Sequence, residues 1–290
     1  MERPIDGAAA SVPSRSHALR PRAGTSAKAV LLTVLGQFVA PRGGEAWTQT
    51  LIRALGAVDV EERNARQALS RLGEQGLVGG RRDGRRVRRY LTPEGAELLA
   101  TGRDRIFGFG QSATRWDGRW LIVLCSVPEE HRSKRHLLRS RLGFAGFGFL
   151  SAGVAITPHV EREALAVEIL KELDLVENAT VFIGGVGKLV TASDLLHRAW
   201  DMDALSDEYR AFVQMFQDRS PTTPRARFAA ATELVHQWRR FPFVDPELPD
   251  ELLPSTWQGR RARIVFDSCF AAWNADATRY FEELEAGASE

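Results

Sequence analysis

The chain has 290 residues, of which 44% are hydrophobic and 26% are charged, and its formal net charge is +2. This composition is typical of a soluble globular protein with two or three domains, since one domain usually takes about 100 to 200 residues. No apolar run reaches the roughly 18 residues of a membrane-spanning helix. Cys125 and Cys269 lie far apart in apolar segments, which favours free core thiols in the cytoplasm over a disulfide framework.

The first 25 residues are rich in Ala, Ser, Pro and Arg and have no apolar segment for secretion. We therefore predict a disordered leader over residues 1–25, with a transit peptide as the alternative. Apolar residues then recur at helical spacing from Ser26, a candidate N-cap, to about residue 40. Thr48 is predicted to cap a second helix, and Asp59 with Glu62 predicts a capping box at the start of a third, which Gly76 ends.

The third helix has two distinct faces. Its predicted inner face is formed by Ala65, Ala68, Leu69 and Leu72. The opposite side presents polar residues of the types that hydrogen-bond base edges and phosphates, namely Arg63, Asn64, Arg66, Gln67, Ser70 and Arg71. Any soluble helix also exposes polar side chains, so this face alone does not establish a DNA contact.

A basic segment follows that helix. The nine residues Arg81–Arg89 hold six arginines and one aspartate, a formal charge of +5, so the rest of the chain carries −3. Asp83-Gly84 predicts a two-residue type I′ turn between strands over 77–82 and 86–92. A helix followed by a basic hairpin is the outline of a winged helix-turn-helix, here predicted over residues 26–107. The alternative is a solvated, charge-rich hairpin. The predicted wing contacts to DNA are Arg81, Arg82, Arg85, Arg86 and Arg88.

Residues beyond the first unit predict two more domains. A fourth helix from Pro93 to about residue 106 leads into a linker over 108–118. Residues 119–190 then read strand 119–127, helix 129–142, strand 147–157, helix 161–173 and strand 179–183, with a possible extra strand near 143–149. This alternation predicts a ferredoxin-like α/β sandwich. Residues 191–285 have helical patterning and precede a short tail, 286–290. The fold class is therefore α+β, with several domains.

Several segments together resemble the PaaX family of bacterial transcriptional regulators, from about Ser26 to about Tyr280. The resemblance rests on the order and spacing of these segments, since no single segment is specific by itself. They are GGEAW (43–47), ARQALSRL (65–72), RRYLTPEG (88–95), WDGRW (116–120), SVPEEHR (126–132) and the long segment from HQWRRFPF to QGRRA (236–262).

The resemblance implies an N-terminal winged helix-turn-helix, a central ferredoxin-like domain related in fold to Cas2 nucleases, and a helical C-terminal domain. It also implies a homodimer that represses an aromatic-acid catabolic operon by binding a palindromic operator in double-stranded DNA. Release by an aromatic acyl-CoA, such as phenylacetyl-CoA, is implied as well.

An acyl-CoA carries phosphates and an adenine, so its site needs arginines beside an aromatic wall. Our candidate effector residues are His236, Trp238, Arg239, Arg240, Arg260 and Arg261, with Arg263 next to them. Solvated helix faces or salt bridges between domains explain these residues equally well.

Two other function classes remain. A metal-dependent nuclease would need a carboxylate at the end of the first strand of the central domain, but the strand over 121–127 has no Asp and is followed by a helix start. The six histidines show no metal-ligand spacing, and we predict neither a catalytic site nor a cofactor. The other alternative is an RNA-binding or scaffolding module.

Overall fold

The computed structural model describes residues 26–111 and 115–289, within which the chain forms ten α-helices and seven β-strands. The predicted leader, residues 1–25, lies outside the described residues. So do residues 112–114 of the predicted linker and residue 290 of the predicted tail.

The N-terminal unit combines four helices with a three-stranded sheet. Its elements are α1 (Ala27–Val34), β1 (Glu45–Trp47), α2 (Thr48–Gly56), α3 (Glu62–Glu74), β2 (Val78–Asp83), β3 (Arg86–Leu91) and α4 (Pro93–Gly108). The strand order is β1-β3-β2, and both pairings are antiparallel. The predicted N-cap of α1 is confirmed, since the Ser26 hydroxyl accepts a hydrogen bond from the Ala29 amide at 3.2 Å.

Two other predicted caps are wrong. The N-cap of α2 is Trp47, and Thr48 is the first helical residue. The Thr48 hydroxyl donates instead to the Val87 carbonyl at 2.9 Å, because strand β1, which was not predicted, places it against β3. Asp59 lies in the turn before α3 with a left-handed φ of 61°. Helix α3 starts after Glu61, which makes no side-chain cap.

The turn of the basic hairpin is shifted by one residue from its predicted position. Asp83 pairs with Arg86, so Gly84 and Arg85 form the two-residue loop. Only the first of them has a positive φ, 59° at Gly84. A type I′ turn needs positive φ at both loop positions, whereas this pattern is that of type II′, which favours glycine at the first.

The central unit has the order βαββαβ. Its elements are β4 (Trp120–Cys125), α5 (Arg132–Phe144), β5 (Gly148–Ser151), β6 (Val154–Thr157), α6 (Glu163–Glu172) and β7 (Ala179–Gly184). The sheet order is β5-β6-β4-β7, with every pairing antiparallel. This is the ferredoxin-like arrangement.

The single strand predicted over 147–157 is wrong, because the chain turns back there to form the β5–β6 hairpin. Gly153 lies at this turn, where its carbonyl accepts a hydrogen bond from the Cys125 amide at 2.9 Å. A Cβ atom at Gly153 would come within 2.8 Å of the Cys125 carbonyl oxygen. The close approach of the two backbones therefore requires glycine.

The C-terminal unit is helical, as predicted, and comprises α7 (Ala192–Ala199), α8 (Met202–Phe216), α9 (Pro224–Trp238) and α10 (Gln258–Ser289). Helix α10 continues through residues 286–289, so the sequence prediction of a tail there is wrong for those four residues. Both cysteines are buried free thiols.

Two hydrophobic cores hold the described chain together. The larger core joins the N-terminal unit to the C-terminal helices. In it the Phe38 ring lies 4.8 Å from that of Phe228 and 5.6 Å from that of Phe281. The smaller core fills the space between the central sheet and helices α5 and α6. The N-terminal unit is thus packed directly onto the C-terminal helices.

Candidate nucleic-acid interface

The faces of α3 are those that the sequence predicts. Ala65, Ala68, Leu69 and Leu72 are buried. All six polar residues of the opposite face, Arg63, Asn64, Arg66, Gln67, Ser70 and Arg71, are exposed. A straight polar face of about three turns results, fixed to the body of the protein by an apolar face that packs against α1 and α2.

Two of these six side chains interact along the helix. Arg66 forms an ion pair with Glu62 at 2.7 Å, and the Ser70 hydroxyl donates to Glu74 at 3.0 Å. Such exposed pairs contribute only about 0.2 to 1 kcal/mol, so a ligand can replace them. The other four side chains make no hydrogen bond or ion pair with any residue that the structure describes.

A groove of about 410 Å³ separates the N-terminal turn of α1 from α3, and Asn64, Gln67 and Arg71 line it. Lys28 lines the opposite wall. Lys28 was not predicted to belong to this surface, since it is an isolated lysine in the first turn of α1. Only the packing of α1 across α3 brings its ammonium group beside the polar face.

Some arginines on the two strands of the hairpin are paired with carboxylates of the protein itself. Arg81 and Arg88 pair across the two strands and share one carboxylate. Arg88 Nε lies 3.0 Å, and Arg81 Nη2 3.5 Å, from the same oxygen of Glu45 on β1. These two arginines therefore bind β1 to the hairpin.

The C-terminal turns of α10 also hold the hairpin. Arg86 Nη1 donates to the Ala288 carbonyl at 2.8 Å, and Arg88 Nη2 lies 3.6 Å from Glu285. Glu285 additionally accepts from the Trp47 amide at 3.1 Å, while the Arg88 guanidinium lies 4.9 Å from the Trp47 ring centroid. Carboxylate and carbonyl groups at a helix C-terminus attract cations. We call this set of contacts, between α10 and the base of the hairpin, the α10 clamp.

The tip of the hairpin is different. Arg82 and Arg85 are exposed and form no ion pair within residues 26–111 and 115–289. Together with the arginines on the face of α3, they are cationic groups of the N-terminal unit that stay available to a polyanion.

None of the cavities described for residues 26–111 and 115–289 is lined by the six predicted effector residues. Trp238 is 1% exposed and donates to the Ile106 carbonyl at 3.1 Å, so it is a core residue that fastens α4. His236 is half-buried, and its Nδ1 lies 3.2 Å from the Thr33 hydroxyl. Burial, followed by the charges of Arg239 and Arg240, lowers the pKa of His236 to about 4.

The arginines of that set have separate partners. Three of them bond to side chains of the C-terminal unit: Arg240 to Glu208 at 3.0 Å, Arg260 to Asp250 at 2.8 Å and Arg261 to Gln217 at 2.7 Å. Burial lowers the pKa of Arg239. Arg263 donates to the carbonyls of Phe107 and Phe109, so it connects α10 to the end of α4. The sequence left two explanations for these residues, an effector site or salt bridges and contacts between domains. The contacts observed are of the second kind.

The central sheet offers no donor set for a nuclease. Strand β4 ends at Cys125, and Glu129 of the following turn pairs with Arg135 at 2.9 Å. Nowhere in the described part of the chain do three His, Cys, Asp or Glu side chains come together as metal ligands. Among the described helices, none is long and apolar enough to cross a membrane.

Three family models match successive parts of the chain. They are a PaaX-like protein model over residues 26–95, the PaaX protein central Cas2-like domain over 113–196 and the PaaX-like protein C-terminal domain over 200–283. They follow the three units of the fold in order.

A curated relative and a solved structure extend the match. The transcriptional repressor PaaX of Escherichia coli (strain K12) is 30% identical over 254 residues, which are 84% of this chain and 78% of that protein. An uncharacterised protein of Mycobacterium tuberculosis shares the fold, with a TM-score of 0.61 and 22% identity over 89% of this chain and 99% of its own. The resemblance drawn from the sequence motifs is confirmed, and the chain belongs to the PaaX family.

Proposed function

We propose that the chain is a cytoplasmic DNA-binding transcriptional repressor whose N-terminal unit is a winged helix-turn-helix. The observation that carries the proposal is the exposed polar face of α3 beside a hairpin whose two tip arginines form no ion pair among the described residues. The E. coli relative is named a transcriptional repressor, which is not an enzyme. We assign this chain the same role.

In this proposal α3 enters the major groove of double-stranded DNA. Arg, Asn and Gln side chains discriminate bases there through paired hydrogen bonds, which suits Asn64, Arg66 and Gln67. Lys28, at the edge of the groove beside α3, extends the same surface toward a phosphate.

The hairpin serves as the wing, and its arginines have two roles: some contact DNA and others hold the hairpin in place. Arg82 and Arg85 at the tip contact phosphates or the minor groove. Arg86 and Arg88, which the sequence analysis counted with them, support the wing through the α10 clamp. DNA affinity at the wing therefore rests on fewer arginines than the sequence predicts.

We propose that the repressor is a homodimer on a palindromic operator, since two-fold symmetry of the protein requires two-fold symmetry of the site. A candidate contact is the exposed part, at β7 and the end of β4, of the sheet face that lies opposite α5 and α6; the rest of that face packs against the C-terminal unit. Ile122 pairs with Phe182 there, and Leu124 and Phe182 are 38% and 51% exposed. A second copy related by a two-fold axis would cover this apolar strip with its own.

Light scattering of the wild type and Phe182→Ser tests that contact. We expect a dimer for the wild type and a shift toward monomer for the variant at the same concentration. A dimer of unchanged stability in Phe182→Ser would place the contact elsewhere.

We further propose that the controlled genes form an aromatic-acid catabolic operon and that an aromatic acyl-CoA, such as phenylacetyl-CoA, releases the repressor. Family membership and the name of the E. coli relative support this effector class. Ligand changes the DNA affinity only if it binds one arrangement of the domains more tightly than another.

Fluorescence anisotropy with DNA from around the chain's own gene tests the proposal. We expect nanomolar binding to one palindromic duplex, much weaker binding to a scrambled duplex, and release by phenylacetyl-CoA. Preference for single-stranded RNA would favour the RNA-binding alternative instead. Cleavage of labelled nucleic acid in the presence of magnesium would support the alternative of a metal-dependent nuclease.

A further inference from the structure

A cavity of about 530 Å³ lies where the three units of the fold meet. Its lining comes from α4, from helices α5 and α6 of the central unit, and from the segment 242–247 that follows α9. The volume falls within the range of about 300 to 1,000 Å³ that is usual for small-molecule sites. Cavities at domain junctions are also where ligands most readily change the relative position of domains.

Arg105 on α4 joins all three units at this cavity. Its guanidinium lies 4.3 Å from the ring centroid of Phe144 on α5 and 4.6 Å from that of Phe243. It donates to the Pro242 carbonyl at 2.7 Å. Desolvation lowers the pKa of Arg105, and the charge of Glu247 raises it in part. In the described part of the chain no carboxylate lies within ion-pair distance of Arg105.

Arg162 brings a second guanidinium to the same cavity. It donates to the Ala145 carbonyl at 2.8 Å, while the nearest oxygen of Glu247 is 3.9 Å away, too far for a hydrogen bond. Gly146 permits this position, because a Cβ atom there would come within 2.0 Å of Arg162 Nη1. Desolvation lowers the pKa of Arg162, so its charge is costly without an anion.

The acidic residues of the lining have other hydrogen-bond partners, although the charge of Glu247 also reaches both arginines and raises their pKa in part. Asp245 accepts from the Tyr209 hydroxyl at 2.6 Å and from the Glu247 amide at 2.7 Å. The Glu247 carboxylate faces the Gly110 amide at 3.5 Å. The hydrogen bonds of the two guanidinium groups therefore go to neutral carbonyls, and the Glu247 carboxylate stays 3.9 Å from Arg162. A buried cation gains most from a charged partner that also accepts a hydrogen bond.

Apolar side chains form another wall, with Phe144, Leu165 and Ile169 from the central unit and Pro242 from the C-terminal unit. Ser140 and Arg141 of α5 also line the cavity, and Arg141 is paired with Glu172. Leu165 and Phe144 are 42% and 53% exposed, so they are accessible to a ligand. The combination of incompletely paired arginines and an apolar wall fits an organic anion: one end charged, the other aromatic or aliphatic.

We infer that this junction cavity is the ligand site of the protein and binds an organic anion whose charged group pairs with Arg105 and Arg162. The choice of effector and the regulatory consequence rest on the proposed function. An anion that draws Arg105 away from Pro242 would loosen α4 from the 242–247 segment. Because α4 directly follows the hairpin, the position of the N-terminal unit would change with it.

Isothermal titration calorimetry of the full chain tests the site with three probes: phenylacetyl-CoA, phenylacetate and coenzyme A. We compare the wild type with Arg105→Gln, which removes a charge, and Leu165→Trp, which fills the cavity and keeps both arginines. Arg103→Gln, on the same helix but outside the cavity, is the matched control. Thermal melts establish that each variant is folded.

We expect at least one probe to bind the wild type and both cavity variants to raise its Kd by tenfold or more. Arg103→Gln should stay within twofold of the wild type. Binding of phenylacetate alone would assign the site to an aromatic carboxylate, and binding of coenzyme A alone to its phosphates. Wild-type affinity in both cavity variants, or no binding of any probe to the wild type, would overturn the inference.

Anisotropy with the palindromic duplex separates this inference from the proposed function. Operator binding without any probe binding would contradict the ligand site alone. If the wild type binds a probe, the cavity variants do not, and the protein does not bind duplex DNA, only the proposed repressor function would be contradicted.

Discussion

At the scale of single residues, the hairpin arginines differ in what surrounds them. Arg82 and Arg85 have no ion pair in the described ranges, whereas Arg86 and Arg88 are bound by α10. An arginine that must leave a partner before it meets a phosphate gains less from the new contact. The tip residues should therefore contribute most of the wing's affinity.

We predict that Arg82→Ala and Arg85→Ala each weaken binding to the operator and to scrambled DNA by similar factors. The slope of log K against log salt should become shallower by about 0.9 for each phosphate that the variant no longer neutralises. Anisotropy titrations at four salt concentrations measure both quantities. A weakening confined to the operator would instead make these arginines base-reading residues.

Gln67 should behave in the opposite way. It lies at the centre of the exposed face of α3 and makes no side-chain hydrogen bond with another described residue. We predict that Gln67→Ala costs roughly 1 to 3 kcal/mol of operator binding, if it reads a base, and leaves scrambled DNA almost unaffected. Competition anisotropy with the two duplexes decides, and parallel losses on both would refute the assignment.

His236 makes the stability of the fold depend on pH. Burial lowers its pKa from 6.5 to about 4, so the unfolded chain binds the proton more tightly. Its contribution to stability is complete above pH 6.5 and is lost as the pH falls toward 4. Between pH 7.5 and pH 5 this loss amounts to about 2 kcal/mol.

We predict that His236→Gln, which can still donate to Thr33, loses less stability over that pH range than the wild type. Urea denaturation at pH 7.5 and pH 5 measures the difference. Burial raises the pKa of Asp245 to about 6, which acts in the opposite direction but equally in both proteins. Identical pH dependence of the two proteins would show that His236 is not the titrating group.

At the scale of elements, the α10 clamp connects the C-terminal unit to the proposed wing. Arg88 is the centre of this contact, since it meets Glu45, Glu285 and the Trp47 ring. We predict that Arg88→Ala lowers the free energy of unfolding by about 1 to 3 kcal/mol, because it removes the arginine that holds the partly buried Glu285 and leaves Glu45 with Arg81 alone.

Arg85→Ala is the matched control for that experiment, with an expected change in stability within about 0.5 kcal/mol. Chemical denaturation measures stability, and hydrogen exchange of β2 and β3 locates the loosened segment. Equal stability of the two variants would mean that α10 does not support the hairpin.

The helices and strands show which parts of the fold the local sequence pattern predicts and which it does not. The spacing of apolar residues predicted the buried face of α3 and the helical C-terminal unit. It did not predict β1, whose three residues are too few to show a period. The run 147–157 read as one strand because its apolar residues continue through a turn, and the position of Gly153 against the Cys125 carbonyl depends on a distant strand.

At the scale of the whole molecule, the N-terminal unit and the C-terminal helices share one core. Phe38 is 0% exposed and packs against the rings of Phe228 and Phe281. We predict that Phe38→Ala costs roughly 3 to 5 kcal/mol and that α3 and α9 lose hydrogen-exchange protection together. Loosening of α3 with full protection of α9 would show that the two units unfold separately.

The sequence by itself determined the order of the helices in the first two units, the polar face of α3, the basic hairpin and the membership of the chain in its family. These features depend on residue type and short-range periodicity. Tertiary structure decided which arginines remain available, where the predicted effector residues lie, and that a cavity forms at the junction of the units. The reason is physical: a side chain is fully available to DNA only when no partner within the protein holds it. For Arg88 the charged partner on α10 is Glu285, and for Arg86 the hydrogen-bond partner is the Ala288 carbonyl, 202 residues away in the chain, where only folding places it.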